Sequence, residues 1–173
     1  MGRCAGGWPS TACLAIAGVA LLVTTDTALA QSTQGLEERN RELVAKGFEA
    51  WANGTGSPYD LLAEDASWTI TGNSMAAKTY PTKEDFMSAV IRPFNARMQS
   101  RLIPTVHKLY AEGNTVIAFF DAKGTARDGK PYANTYAWIL EMKDSKIVRA
   151  NAFFDSIAFD DFWKRVPERP APK

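Results

Sequence analysis

The sequence predicts an α+β domain, on three observations. Leu36, Leu43, Val44, Phe48 and Trp51 recur at helical spacing. Beyond Met98 the pattern turns to β, with runs at Leu102 to Ala111, Val116 to Thr125, Tyr132 to Lys143 and Ile147 to Phe154. The separators Glu112-Gly113-Asn114, Arg127-Asp128-Gly129 and Lys143-Asp144-Ser145 are too short for crossovers, so they predict consecutive antiparallel hairpins. Helices first and a meander afterwards is the α+β order.

Each element has its own local reason. Asn53-Gly54 stops the first helix. Ser57-Pro58 is an N-cap followed by a proline at the first helical position, which opens a short second helix ending near Leu62. Ala66 to Thr71 is the first strand. Thr82-Lys83-Glu84-Asp85 places a hydroxyl cap and acidic residues in the first turn of a third helix through Phe86, Ala89 and Val90, which Pro93 is expected to kink or end. A last helix over Ser156 to Val166 carries Ile157, Phe159, Phe162 and Trp163.

Residues 1–30 do not belong to that domain. Arg3 precedes an apolar run from Ala12 to Val23, and Ala28-Leu29-Ala30-Gln31 supplies a small-x-small cleavage site, so the segment is expected to be a secretory signal peptide with Gln31 as the mature N-terminus. The run of about twelve apolar residues falls short of the roughly 20 that cross a bilayer, so no membrane association is expected after cleavage. Both cysteines, Cys4 and Cys13, leave with the leader, and the exported chain, periplasmic or secreted, has none for disulfides. The domain is expected over 36–166, between flexible tails at 31–35 and 167–173.

The chain has 20 basic and 19 acidic residues and a net charge of +1, interspersed throughout, which argues against nucleic acid or anionic lipid as a partner. One histidine and no mature cysteine make a transition-metal site improbable. Glu64-Asp65 and Asp160-Asp161 lack the spaced oxygen ligands and turn glycine of a calcium loop, and no glycine-rich phosphate loop follows a strand. No cofactor and no metal is implied.

Ala63-Glu64-Asp65-Ala66-Ser67-Trp68, Lys78-Thr79-Tyr80, Pro131-Tyr132-Ala133-Asn134-Thr135-Tyr136 and Phe153-Phe154-Asp155, in this order of elements, resemble the SnoaL-like, ketosteroid isomerase-like branch of the nuclear transport factor 2 superfamily. The resemblance covers nearly all of Leu36 to Val166. It implies a cystatin-like cone, in which a curved antiparallel sheet wraps around helices and encloses one pocket. It also implies a homodimer formed through the convex sheet face, where Phe119, Ile139 and Phe153 would lie. The superfamily contains isomerases, polyketide cyclases, epoxide hydrolases, dehydratases and binding modules, so fold alone does not select a function.

Strand alternation decides which side chains enter that pocket. In the resemblance the inward set falls on even numbers: Trp68 and Ile70, then Ala118, Phe120 and Ala122, then Asn134, Tyr136 and Trp138, and finally Ala150, Ala152 and Phe154. From these the expected ligand-binding residues are Trp68, Ile70, Phe120, Asn134, Tyr136, Trp138 and Phe154. A one-residue bulge would swap any of them for its neighbours.

The known catalytic positions of the superfamily are not matched. By ungapped placement, the carboxylate base, tyrosine and protonated acid of the ketosteroid isomerases fall at Ile70, Gly47 and Trp138, which move no protons. The two aspartates and arginine of the limonene epoxide hydrolases fall at Phe120, Ala122 and Ala152. The remaining catalytic candidates are Tyr136, Asp121 and His107. Asp155 reads first as the N-cap of the last helix. His107 and Asp121 have the parity of the convex face or a subunit contact; a register slip by one would instead bring them together with Asn151 as an acid/base group.

Two functions follow. The favoured one is binding of a small, flat, apolar molecule without acid/base chemistry; the other is a lyase, isomerase or cyclase acting on a hydrophobic substrate. Burying ~300 Å² of ligand supplies roughly 7 kcal/mol against an association cost of about 4 kcal/mol or more. Apolar contact alone therefore gives roughly millimolar binding, and two hydrogen bonds, from Asn134 and Tyr136, move it towards 0.1 mM at about 1 kcal/mol each. In the alternative packing these aromatic residues fill the core and leave no pocket.

Overall fold

The computed structural model describes Gly2 and residues 20–167, with side chains from Gln31 onward. Most of the expected leader and nearly all of the expected C-terminal tail lie outside the described residues. The chain divides into two compact units, Met1–Thr33 and Gln34–Lys173. Helix α1 spans Ala20–Asn53. It runs through 31–35, where the sequence predicts a loose tail. No proline interrupts it, and Gly35 and Gly47 cost about 1 kcal/mol each, which a helix of this length absorbs.

α1 ends in a Schellman motif. The Gly54 N–H donates to Trp51 O at 3.1 Å and the Thr55 N–H to Ala50 O at 2.9 Å, with Gly54 at φ +74°. A 3-10 turn, Pro58–Leu61, follows, with Asp60 Oδ2 accepting from the Ser57 N–H at 2.7 Å. It crosses α1 so closely that a side chain at Gly47 would meet Pro58 Cα at 3.0 Å. That contact explains why the position placed opposite the isomerases' tyrosine carries none here.

The third expected helix exists but is broken in register. α2 (Lys83–Phe86) is capped by Thr82, whose hydroxyl accepts from the Asp85 N–H at 3.1 Å. A π turn over Met87–Ile91 follows, in which the Arg92 N–H reaches back to Met87 O, and α3 (Arg92–Arg97) resumes. Pro93 was expected to kink or end the helix. It sits instead in the first turn of α3, where its missing N–H is tolerated, and the widened turn just before it absorbs the disruption.

Six strands form one curved, unclosed sheet: β1 (Leu62–Ile70), β2 (Thr79–Tyr80), β3 (Ile103–Glu112), β4 (Thr115–Thr125), β5 (Pro131–Lys143) and β6 (Lys146–Phe154). Their spatial order is β2-β1-β6-β5-β4-β3. β3 to β6 are the expected meander of antiparallel hairpins. The sheet is not antiparallel throughout, because β1 and β6 run parallel. No hairpin links them: the chain between β1 and β6 acts as the crossover that parallel pairing needs. α4 (Ser156–Arg165) closes the fold, and Asp155 is its N-cap, accepting from the Ile157 and Ala158 N–H groups at 2.8 and 3.2 Å.

Even-numbered residues of β4 up to Ala122 and of β5 are buried and odd ones exposed or half-buried, the expected parity. In two rows of the concave face a large ring sits beside methyl groups on the neighbouring strands. Trp138 lies between Ala118 and Ala152, and Trp68 lies beside Ala150. This alternation lets bulky rings fit a curved sheet without clashing. Among the described residues, no helix is long and apolar enough to cross a membrane, and no group of three or more His, Cys, Asp or Glu could hold a metal ion.

Candidate functional site

A cavity of about 540 Å³ opens within the second unit, against the concave sheet. Its inner wall comes from the sheet through Trp68, Ile70, Tyr136, Trp138, Ala152 and Phe154. The helices supply Met87, Val90 and Ile91 from the π turn and Phe94 from α3. The break in helical register therefore lies directly on the cavity, as π turns often do at functional sites.

The deep wall is rigid because its rings lock one another. Trp68 stacks on Phe86 with centroids 4.4 Å apart and planes 8° from parallel. Trp138 meets Trp68 edge-on at 5.0 Å, lies against Phe120 at 4.8 Å and stacks on Trp51 at 6.0 Å. Such pairs contribute roughly 0.5–1.5 kcal/mol each beyond area burial.

Of the seven residues expected to bind ligand, Trp68, Ile70, Tyr136, Trp138 and Phe154 line the cavity. Phe120 lies behind the wall, fully buried and stacked on Tyr136 at 4.8 Å. Asn134 is buried and spent on structure: its Oδ1 accepts from the Asp155 N–H at 2.9 Å and its Nδ2 donates to Asp155 O at 3.0 Å. The indole Nε1 of Trp68 is sealed in the wall with no hydrogen-bond partner, so it offers no donor to a guest.

Asn134 nonetheless reaches Tyr136 through the Tyr132 hydroxyl. The two backbone bonds to Asp155, one from a donor and one to an acceptor, fix which end of the amide is Nδ2. Nδ2 also donates to the Tyr132 hydroxyl at 3.1 Å, and that hydroxyl lies 3.0 Å from the Tyr136 hydroxyl. Tyr132 thus accepts from the amide, and either hydroxyl of the Tyr132–Tyr136 pair can supply the proton between them. When Tyr132 donates, the Tyr136 O–H is left without a partner in that pair. Burial raises the pKa of Tyr136 well above the ordinary phenol value, with the neighbouring Tyr132 adding to it, and burial raises that of Tyr132 too. Tyr59 also lines the cavity, and its pKa is likewise pushed up, first by loss of hydration. These phenols are hydrogen-bond donors at neutral pH and not bases.

His107 and Asp121 are on the outside of the sheet, paired to each other. His107 Nε2 is 2.8 Å from Asp121 Oδ2, while Asp121 Oδ1 accepts from Thr135 Oγ1 at 2.7 Å. The Thr135 hydroxyl first, and His107 second, hold the Asp121 carboxyl below its usual range. A bulge does occur between Val106 and Lys108, but it does not turn His107 inward. The pair is exposed and does not join Asn151 in a buried acid/base group.

Sequence reasoning missed Tyr59 and Arg101. Tyr59 follows the Ser57-Pro58 signal by one residue, but only the crossing of α1 and the 3-10 turn brings it to the cavity. Arg101 lies between α3 and β3, in a stretch with no period to read. Among the described residues lining the cavity, Arg101 is the one charged side chain; no carboxylate, imidazole, amine or thiol joins it.

No functionally curated protein matches the sequence. Among solved structures, Bal32a from a soil-derived mobile gene cassette is 22% identical, with 73% of this chain and 98% of that one covered at a TM-score of 0.61. An NTF2-like protein from Burkholderia thailandensis is also 22% identical, covering 71% and 95% at 0.58. A putative SnoaL-like polyketide cyclase from Jannaschia is 14% identical, covering 78% and 95% at 0.59. These likenesses establish the fold. The SnoaL-like domain family matches residues 41–150, most of the domain described above. The chain is a member of the SnoaL-like family.

Proposed function

We propose that this protein binds a small, flat, hydrophobic molecule carrying a carbonyl or similar acceptor, and does so without acid/base chemistry. The observation that carries the reading is the composition of the cavity wall: mostly aromatic and aliphatic groups, two phenols kept protonated, a few neutral polar groups and Arg101, and no residue that titrates near neutrality. A general base needs a pKa near the working pH, and none of the lining groups has the chemistry for it. In this reading Tyr132 donates to Tyr136, whose own O–H is then offered to a guest with an acceptor at one end.

The test is a titration of 9-fluorenone, a flat aromatic ketone, read by quenching of tryptophan fluorescence. The reading expects saturable binding in the range of roughly 0.1–1 mM. Ile91→Trp, which fills the cavity from the π turn, should abolish it without entering the core. Unaltered binding in that variant places the ketone elsewhere and overturns the reading.

A second reading, an isomerase or cyclase, rests on Tyr136 as a donor able to stabilise a developing oxyanion, and on the polyketide cyclase assignment of the Jannaschia protein. It requires a base that the guest itself or water would provide. Turnover of an enolisable aromatic ketone, lost in Tyr136→Phe, would favour it over simple binding.

We further propose export and self-association. Export is supported by Arg3, the apolar run from Ala12 to Val23 and the Ala28-Leu29-Ala30 site, and N-terminal sequencing of the secreted protein should find Gln31. Self-association is supported by the convex face, where Phe119 and Phe153 flank Ala137 in one cross-strand row and are 42% and 41% exposed, with Ile117 nearby.

A further inference from the structure

We infer that Arg101 is an anchor for a carboxylate, so that the guest class is an amphipathic aromatic acid, with its ring system in the cavity and its charge at the mouth. The inference rests on the proposed binding role and narrows it.

Arg101 lines the cavity and is exposed at its rim. Its guanidinium is held in place from one side only: Nη1 donates to Trp51 O at 3.1 Å, a carbonyl at the end of α1. Gly54, whose left-handed φ ends that helix, lies directly beneath, and a side chain there would strike the guanidinium. The group is thus positioned before any ligand arrives. Its Nε and Nη2 have no protein partner among the described residues, and no carboxylate forms an ion pair with it.

A cap on the helix carbonyls is the ordinary reason for an arginine in such a place. Capping, however, uses one of five donors, and the planar fork that remains matches a carboxylate. A neutral ligand would leave this charge unused beside an aromatic cavity. An acid would pair with it at the exposed rim of the cavity.

The experiment compares 2-naphthoate with its neutral isostere, methyl 2-naphthoate, at neutral pH, by tryptophan quenching on the wild-type protein and on Arg101→Gln. Wild type should bind the acid about tenfold more tightly than the ester, the scale of a charged hydrogen-bonded contact. Arg101→Gln should remove that preference and leave the ester within about twofold. Raising NaCl from about 20 mM to about 0.5 M on wild type should weaken the acid and not the ester, which keeps the test independent of whether the variant folds. Equal binding of acid and ester by wild type, or a salt-insensitive preference, overturns the anchor while leaving the cavity reading intact. Failure of both probes to bind overturns both.

Discussion

The side-chain amide of Asn134 grips both backbone groups of Asp155, accepting from its N–H at 2.9 Å and donating to its carbonyl at 3.0 Å. β5 is thereby tied to the first residue after β6, the one that caps α4. Asn134→Leu should therefore leave two buried backbone groups unsatisfied and lower stability by about 1–3 kcal/mol, read by urea unfolding. It should also weaken fluorenone binding, because the Tyr132 hydroxyl that contacts Tyr136 would lose its amide donor. Unchanged stability would mean that the amide is not a structural clamp.

Tyr136→Phe removes the hydroxyl proposed to donate to the guest without removing a ring. Fluorenone affinity should fall about five- to tenfold, corresponding to roughly 1 kcal/mol, while binding of a hydrocarbon such as fluorene changes little. Equal losses for both guests would show a packing effect instead.

Gly54→Ala forces an alanine into φ +74° and pushes its methyl into the Arg101 guanidinium. A loss of about 1 kcal/mol or more is expected in thermal unfolding, together with a weaker preference for naphthoate over its ester. A destabilised variant that keeps the full acid preference would separate Arg101 from its helix-end support.

The phenols make an alkaline prediction. The folded pKa values of Tyr59, Tyr80, Tyr132 and Tyr136 lie above the ordinary phenol value, first because of burial. A group whose folded pKa is raised stabilises the native state below its unfolded pKa and loses that contribution as pH rises towards the folded one. These four should ionise only as the chain unfolds, so the main rise of phenolate absorbance above about pH 11 should coincide with loss of structure. Full ionisation in a still-folded protein would contradict their burial.

Phe119→Asp on the convex face should convert a dimer to a monomer in sedimentation velocity, with the cavity unaffected. A wild-type monomer at micromolar concentration would reject self-association through this face.

Most of the fold was legible because it is written in periodicity and turns. The four long strands, the Thr82 and Asp155 caps and the inward parity of Trp68, Phe120, Tyr136 and Trp138 follow from alternation and local hydrogen bonding. What was not legible depends on contacts distant in sequence. The parallel β1–β6 pair has no turn to announce it, and the π turn before Pro93 is a compromise between helix continuation and a missing N–H. For the site, parity shows which side chains enter the cone but not which remain available. Asn134 enters and is consumed by Asp155, and Phe120 enters and is covered by Tyr136. Tyr59 and Arg101 arrive from outside the sheet, where parity has nothing to say.

The most direct check is the pH dependence of fluorenone binding to the wild-type protein. A wall of rings and protonated phenols predicts saturable 1:1 quenching with an affinity that stays flat from about pH 6 to about pH 8, since no lining group titrates there. No saturation, or an affinity that follows a single ionisation within that window, would contradict the account.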